Sequence, residues 1–199
     1  MPEDITPRNS MRDVARAAVR AELAKSTVDL ILREGYEAVT VTDLAAAAGV
    51  SRSTFLRYLG SKEAAVVDAL IMQRDKLAED VLARPADETA WNAVTRSLAA
   101  ATERYENEPV NALKLAQLVS KITTLKAATL ERQALLQAEI AAALMLRPIP
   151  PPSRLAADSI AAAAVACFAV ALDHWMTAEA SVPMRDFFED ALAALGHGS

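Results

Sequence analysis

One cysteine, Cys167, and two histidines, His174 and His197, occur in 199 residues. That scarcity excludes an internal disulfide framework and a Cys-rich or His-rich metal site, and it fits a reducing compartment. Excess positive charge is missing too: 21 basic against 26 acidic side chains give −5. A protein that coats polyanions is thereby excluded, and any nucleic-acid contact must be local. The richest apolar stretch, Ile160 to Leu172, is 13 residues long, short of the roughly 20 that a membrane span needs. The first twenty residues carry Arg8, Arg12, Arg16 and Arg20 among acids and lack the apolar core of a secretory signal. A soluble, cytoplasmic protein without a membrane partner is expected. There is no Walker loop, dinucleotide fingerprint, zincin motif or calcium loop. Asp173 and His174 are adjacent, so on a helix they point in different directions, and no activated nucleophile accompanies them. Neither enzyme activity, a cofactor nor a bound metal is expected.

Glycine is also scarce, with five in all and none between Gly60 and Gly196. The middle of the chain is therefore divided by Pro85, Pro109, the run Pro148-Ile149-Pro150-Pro151-Pro152, and Pro183. What lies between is rich in Ala, Leu, Glu, Arg, Lys and Gln and poor in β-branched alternation, which predicts an all-α chain of about nine helices. A first helix carries Leu23, Thr27/Val28 and Ile31 and ends near Gly35. Thr40-Val41-Thr42-Asp43 has capping-box spacing before a short second helix. Ser51 can cap a third helix through Leu59, and Ser61 a fourth from Lys62 to about Leu82. Asp87 can cap a helix bearing Trp91, Val94, Leu98 and Tyr105. Pro109 opens the next, and another covers about Leu125 to Met145. Ser153 caps a helix to about Ala180, and Pro183 opens the last.

Thr40 to Lys62 has the grammar of a helix-turn-helix, with Leu44, Ala45, Ala48, Val50 and Phe55 as a small shared core and Gly49 in the turn. In that arrangement Phe55 and Leu59 face inward, while Arg52, Ser53, Thr54 and Arg57 face outward, as needed to meet base edges and phosphates in a major groove. Tyr58 and Lys62 could clamp flanking phosphates, and the helix starts at Thr40 and Ser51 add backbone donors. A solvated three-helix structural unit is the bland alternative. Residues 1–60 hold eight basic and eight acidic side chains, so the remaining 139 carry the whole −5. Acidity is thus kept away from the proposed DNA-facing end.

Gly35-Tyr36, Thr40-Val41-x-Asp43-Leu44-Ala45, Ala48-Gly49-Val50-Ser51, Thr54-Phe55, Tyr58 and Ser61-Lys62-Glu63 together resemble the DNA-binding domain of TetR-type transcriptional regulators. The resemblance implies an N-terminal arm over 1–19, a helix-turn-helix domain over 20–62 and a helical regulatory domain over 63–199. It places Arg52, Ser53, Thr54 and Arg57 nearest the bases of a double-stranded operator. Thr40, Tyr58 and Lys62 would lie at phosphates, with Arg20 on the arm entering the first helix. Leu56 stands where the family usually has a phosphate-contacting Tyr, Leu59 and Ile31 where it has Phe. Arg8, Arg12, Arg16 and Arg20 would form a slowly drifting stripe on a continuous helix, read either as a DNA-gripping arm or as a solvated face.

In the second half, Ile160, Ala164, Phe168, Leu172 and Trp175 lie along one side of the 153–180 helix, while Ala162, Ala163, Ala166, Ala169 and Val170 keep its other sides small and apolar. A helix apolar nearly all round needs cover on several faces. A homodimer built from helices 153–180 and 183–195, the latter adding Phe187, Phe188 and Leu192, would supply it and would hold two reading helices about 34 Å apart. The resemblance also implies a small-molecule effector, apolar or aromatic, with Trp91, Leu98, Thr102, Tyr105, Leu113, Gln117, Leu136 and Ile140 as candidate lining. The resulting expectation is a ligand-released repressor. The alternative is an all-α ligand-binding or interaction module whose helix-turn-helix does not read DNA.

Overall fold

The computed structural model describes residues 11–71, 77–148 and 151–196, with the side chains of 12–14, 70, 71 and 104 left out. Among the described residues there is no strand, and the chain is all-α as its composition implies. In order the helices are α1 Met11–Glu34, α2 Val41–Ala47, α3 Arg52–Leu59, α4 Lys62–Ile71, α5 Leu77–Ala83 and α6 Ala90–Ala101. They are followed by α7 Glu103–Asn107, α8 Pro109–Lys121, α9 Thr123–Met145, α10 Arg154–Thr177 and α11 Met184–Gly196. The chain divides into two compact units, Met1–Ala69 and Leu70–Ser199.

Several helices differ from the sequence expectation for identifiable reasons. Residues 11–19, assigned to an arm, are part of α1. The helix expected over 62–82 is described as α4 and α5, with 72–76 outside the described residues. The helix after Pro85 starts at Thr89, whose hydroxyl accepts from Asn92 N at 3.2 Å, and not at Asp87. It breaks at Thr102, where the buried hydroxyl turns back to donate to Ala99 O at 2.7 Å, and α7 follows as a separate short helix.

In the first unit, α1 packs against α2 and α3, and α2 against α3. Leu23 and Ile31 from α1, Leu44 and Ala45 from α2, and Phe55 and Leu59 from α3 are buried, as the three- and four-residue spacing predicts. Ala48 and Val50 are only half-buried. Thr27 is fully buried, and its hydroxyl donates to Leu23 O at 2.8 Å, so the polar atom costs little.

The second unit is organised around α10, which packs against α6, α8, α9 and α11. Its aromatic core is a chain of ring contacts: Trp175 to Tyr105 at 5.4 Å, Tyr105 to Phe168 at 6.0 Å, and Phe168 to Phe188 at 5.5 Å. Immediately after α9, the guanidinium of Arg147 is buried and donates to Val81 O at 2.7 Å, Pro85 O at 2.7 Å and Glu88 O at 3.1 Å. These carbonyls belong to the end of α5 and the loop after it, so one side chain caps a helix 66 positions earlier in sequence.

Alpha-helix α10 is longer than the 13-residue apolar run suggested. It has 24 residues and an 18-residue window of mean hydropathy 2.1, enough in length and composition to cross a membrane. Leu155, Ala156 and Ala157 before the run and Trp175 and Met176 after it extend the helix. Here it is the central helix of the second unit, yet only 39% of that window is buried within the chain. Burial also corrects the expected dimer surface. Ala164, Phe168, Trp175 and Phe188 belong to the core of the single chain, with each at most 1% exposed. Ile160, Leu172, Phe187 and Leu192 are half-buried. The uncovered face of α10 carries Leu155, Ala162, Ala166 and Val170 instead.

Candidate nucleic-acid interface

Short helices cannot rely on propensity, and α2 and α3 are fixed by their ends. At the start of α2, Thr40 N donates to Asp43 Oδ2 at 2.9 Å while the Thr40 hydroxyl accepts from Asp43 N at 3.3 Å, completing the reciprocal box. The Thr40 hydrogen bonds hold the Asp43 carboxyl below its ordinary range. Asp at the third helical position therefore does the work usually done by Glu or Gln. The turn between the helices passes through Gly49 at φ +67°. A Cβ there would meet no atom within 4 Å, so glycine is required by the backbone conformation and not by lack of room.

At the start of α3 the Ser51 hydroxyl accepts from Thr54 N at 3.1 Å and lies 2.9 Å from Thr54 Oγ1 and 3.0 Å from Ser53 Oγ. Three hydroxyls thus gather at one helix end, pre-ordered by each other. Phe55 and Leu59 anchor the opposite face. Arg52, Ser53 and Arg57 are exposed, Thr54 and Tyr58 half-exposed. Arg57 lies against the Tyr58 ring, 5.5 Å from its centroid, a contact that limits the freedom of both. The outward group expected from the sequence is therefore brought together on one helical face.

Two expected phosphate contacts have other partners. Lys62 Nζ donates to Tyr36 O at 2.7 Å and Val39 O at 2.9 Å and sits 4.0 Å from the Tyr36 ring centroid. It ties the loop between α1 and α2 to the start of α4, leaving one ammonium proton for anything else. Beside it, Tyr36 donates its hydroxyl to Glu63 Oε1 at 2.7 Å, and that bond lowers the Glu63 carboxyl. Arg20 Nε donates to Asp68 Oδ2 at 2.7 Å, so α1 is braced against the buried carboxylate of α4. Asp68 was not singled out in the sequence, and Glu63 was quoted only within the Ser61-Lys62-Glu63 motif, because nothing local marks a partner 48 or 27 positions away. Of the arginine stripe, Arg8 and the side chain of Arg12 lie outside the described residues; Arg16 is exposed.

Residues 23–68 match the family model of bacterial regulatory proteins, tetR family, and residues 88–199 match that of the MftR C-terminal domain. No curated protein matches the sequence significantly. Among solved structures, FadR of Thermus thermophilus, a TetR-family repressor in complex with lauroyl-CoA, is 20% identical and superposes with a TM-score of 0.60 over 90% of this chain and 94% of its own. The fatty acid degradation regulator FadR of Bacillus halodurans is 16% identical, with a TM-score of 0.52 over 95% and 94% of the two chains. NalD of Pseudomonas aeruginosa, the secondary repressor of the MexAB-OprM multidrug efflux pump, is 14% identical, with a TM-score of 0.52 over 93% and 97%. The capped helix-turn-helix, the helical unit after it and the two family models together make this chain a member of the TetR family of transcriptional regulators.

Proposed function

We propose that this regulator is a homodimeric repressor whose α3 helices read a palindromic operator and whose second unit takes a small amphipathic or apolar effector that lowers operator affinity. The observation that carries the reading is the outward face of α3: Arg52, Ser53 and Arg57 exposed on a helix held by buried Phe55 and Leu59 and by a hydroxyl-capped start. Guanidinium groups suit guanine edges and phosphates, and the hydroxyls of Ser51, Ser53 and Thr54 suit phosphates and bases of either kind. Thr40 at the start of α2 adds a backbone-capped phosphate contact. A protein acting on the chromosome in this way works in the cytoplasm, and no catalytic step enters the reading.

The incompletely covered α10 supports self-association. Ala162, Ala166 and Val170 form a small, apolar, exposed stripe that admits close approach of a second helix, with half-buried Ile160, Leu172, Phe187 and Leu192 at its margins. For the effector, Leu98, Thr102, Tyr105, Leu136 and Ile140 are buried, while Trp91, Leu113 and Gln117 are partly exposed. Two buried polar atoms of this unit, Tyr105 Oη and Ser97 Oγ, have no hydrogen-bond partner among the described residues. Groups of that kind gain from a ligand that supplies the missing bond. The lauroyl-CoA bound by the Thermus FadR, an acyl chain with a polar head, is of the chemistry such a lining would accept.

The test is fluorescence anisotropy with duplexes from the intergenic DNA upstream of its own transcription unit, across a salt series. A salt-sensitive, sequence-dependent complex is expected, weakened by roughly 1–3 kcal/mol in Arg52→Ala if that side chain makes a bidentate base contact and reversed by long-chain acyl-CoA. Wild-type affinity for the preferred duplex in both Arg52→Ala and Arg57→Ala would remove α3 as the reading surface.

A further inference from the structure

Helices α5, α6 and α9 are fastened to one short stretch of the second unit, residues 84–88, which joins α5 to α6. Arg147, two residues past the end of α9, is 6% exposed. Its Nη1 donates to Val81 O at 2.7 Å and Arg84 O at 3.4 Å, its Nη2 to Pro85 O at 2.7 Å and Glu88 O at 3.1 Å. Among the described residues its acceptors are all backbone carbonyls, gathered at the end of α5 where the helix dipole favours a cation. The Glu88 side chain fastens the stretch a second time. Arg84 grips both of its oxygens, and Arg96 of α6 donates to Oε1 at 2.7 Å.

Fastening of this kind differs from packing. Packed helices slide past one another by about 1–2 Å, whereas a buried guanidinium that leaves its acceptors strands a charge away from water. Two of the fastened helices carry candidate effector lining: Leu98 and Thr102 lie on α6, Leu136 and Ile140 on α9. The third, α5, is the first helix after the reading unit, with 72–76 between it and α4 in sequence.

We propose that the 84–88 stretch is the joint that makes operator and effector affinities depend on each other, with Arg147 as its positioning residue. Arg147 obliges α5, and so the chain that leads back to the reading unit, to follow any change in the spacing of α6 and α9. The inference rests on the reading of the protein as an effector-released repressor. Arg147 itself touches neither DNA nor effector. A brace that served stability alone would leave the coupling between the two ligands intact when removed.

The experiment uses the full chain with two probes, lauroyl-CoA and a duplex enriched by the wild-type protein from a random pool. The quantity read is the factor by which saturating lauroyl-CoA lowers duplex affinity. In a coupled protein it is roughly 5–150, and it equals the factor by which the duplex lowers lauroyl-CoA affinity. Arg147→Met should bring both factors close to unity while each probe alone is still bound. Arg147→Lys keeps the charge without the planar fork and should give an intermediate factor. Arg96→Gln, at a side chain 60% exposed, loosens α6 with little threat to folding and should lower the factor in part. Ser153→Ala removes the α10 cap in the same unit, so it should lower the melting temperature and keep the wild-type factor. A wild-type factor in Arg147→Met, or in Arg96→Gln should Arg147→Met not fold, would overturn the inference alone. An equal loss of coupling in Ser153→Ala would do the same, since coupling would then merely track stability. A wild-type protein that binds the duplex and ignores lauroyl-CoA would overturn the effector reading and this inference together, and one that binds no duplex would overturn the α3 reading as well.

Discussion

In the first unit α2, α3 and α4 each start at a hydroxyl, Thr40, Ser51 and Ser61, that accepts from a backbone N–H three residues on. In the second, α6 and α10 also start at a hydroxyl, Thr89 and Ser153, but α8 and α9 start at Glu108 and Ile122 with no side-chain cap hydrogen bond. Of these helices the three shortest are all in the first unit. Helices of 7 and 8 residues such as α2 and α3 are marginal alone and need every end satisfied. The 23 residues of α9 offer so much surface that packing fixes it without a side-chain cap. In the first unit the short helices are specified mainly by local chemistry and present a defined polar face. The second adds to its two caps a larger share of apolar packing, and among the described residues it retains both an uncovered stripe and unpaired buried hydroxyls.

Core truncations separate the two regimes most strongly. Phe55→Ala and Phe168→Ala each remove a fully buried ring and should each cost roughly 3–5 kcal/mol. In calorimetry Phe55→Ala should abolish DNA binding with the second unit still folded, and Phe168→Ala should lower the transition of the second unit. A single transition that moves equally in both variants would erase the distinction between the units.

Arg147→Met tests whether tertiary contacts do for the second unit what caps do for the first. Met fills part of the volume but leaves Val81 O and Pro85 O without their donor, at a cost of roughly 2–4 kcal/mol in urea denaturation. A loss no larger than that of an exposed arginine would show that water satisfies those carbonyls.

Ser51→Ala should cost about 1 kcal/mol, the usual loss for an N-cap hydroxyl. Because the same hydroxyl also lies against Ser53 and Thr54, operator affinity should fall further than stability does. Equal losses in the two measurements would reduce Ser51 to a cap.

The smallest effect concerns Glu88. Arg84 grips its carboxylate at both oxygens, and Arg96 Nη1 donates to Oε1 at 2.7 Å. The hydrogen bonds from Arg84, then from Arg96, pull its carboxyl from 4.5 to about 2. A carboxyl lowered by folding adds stability that is complete above pH 4.5 and is lost as pH falls toward about 2. Denaturation midpoints of Glu88→Gln should therefore depend less on pH than those of wild type within that window. Identical pH profiles would show that the cluster is open to solvent and contributes little.

Local signals made much of the first unit readable. The Thr40 box, the Gly49 turn, the Ser51 cap and the inward Phe55 and Leu59 are each set by residues within a few positions of one another. That is why the outward group on α3 emerged from spacing alone. Lys62 and Arg20 have partners that the sequence did not show, for the complementary reason. A basic side chain near a reading helix looks free until the fold brings Tyr36 O, Val39 O or Asp68 against it. The dimer face was misread similarly: in an alanine-rich helix such as α10, apolar residues occur on every side, and periodicity cannot say which side the rest of the chain covers.

The sequence by itself determined that the chain is helical, where its short helices begin, and which side chains α3 can offer to DNA, because capping, turn and burial signals act over three or four residues. Only the tertiary structure decided which arginines remain available, that Arg147 closes the end of α5, and which stripe of α10 is left uncovered. Those outcomes depend on charge pairing and packing between residues tens of positions apart, where the cost of closing the chain is met by the fold as a whole and leaves no local trace.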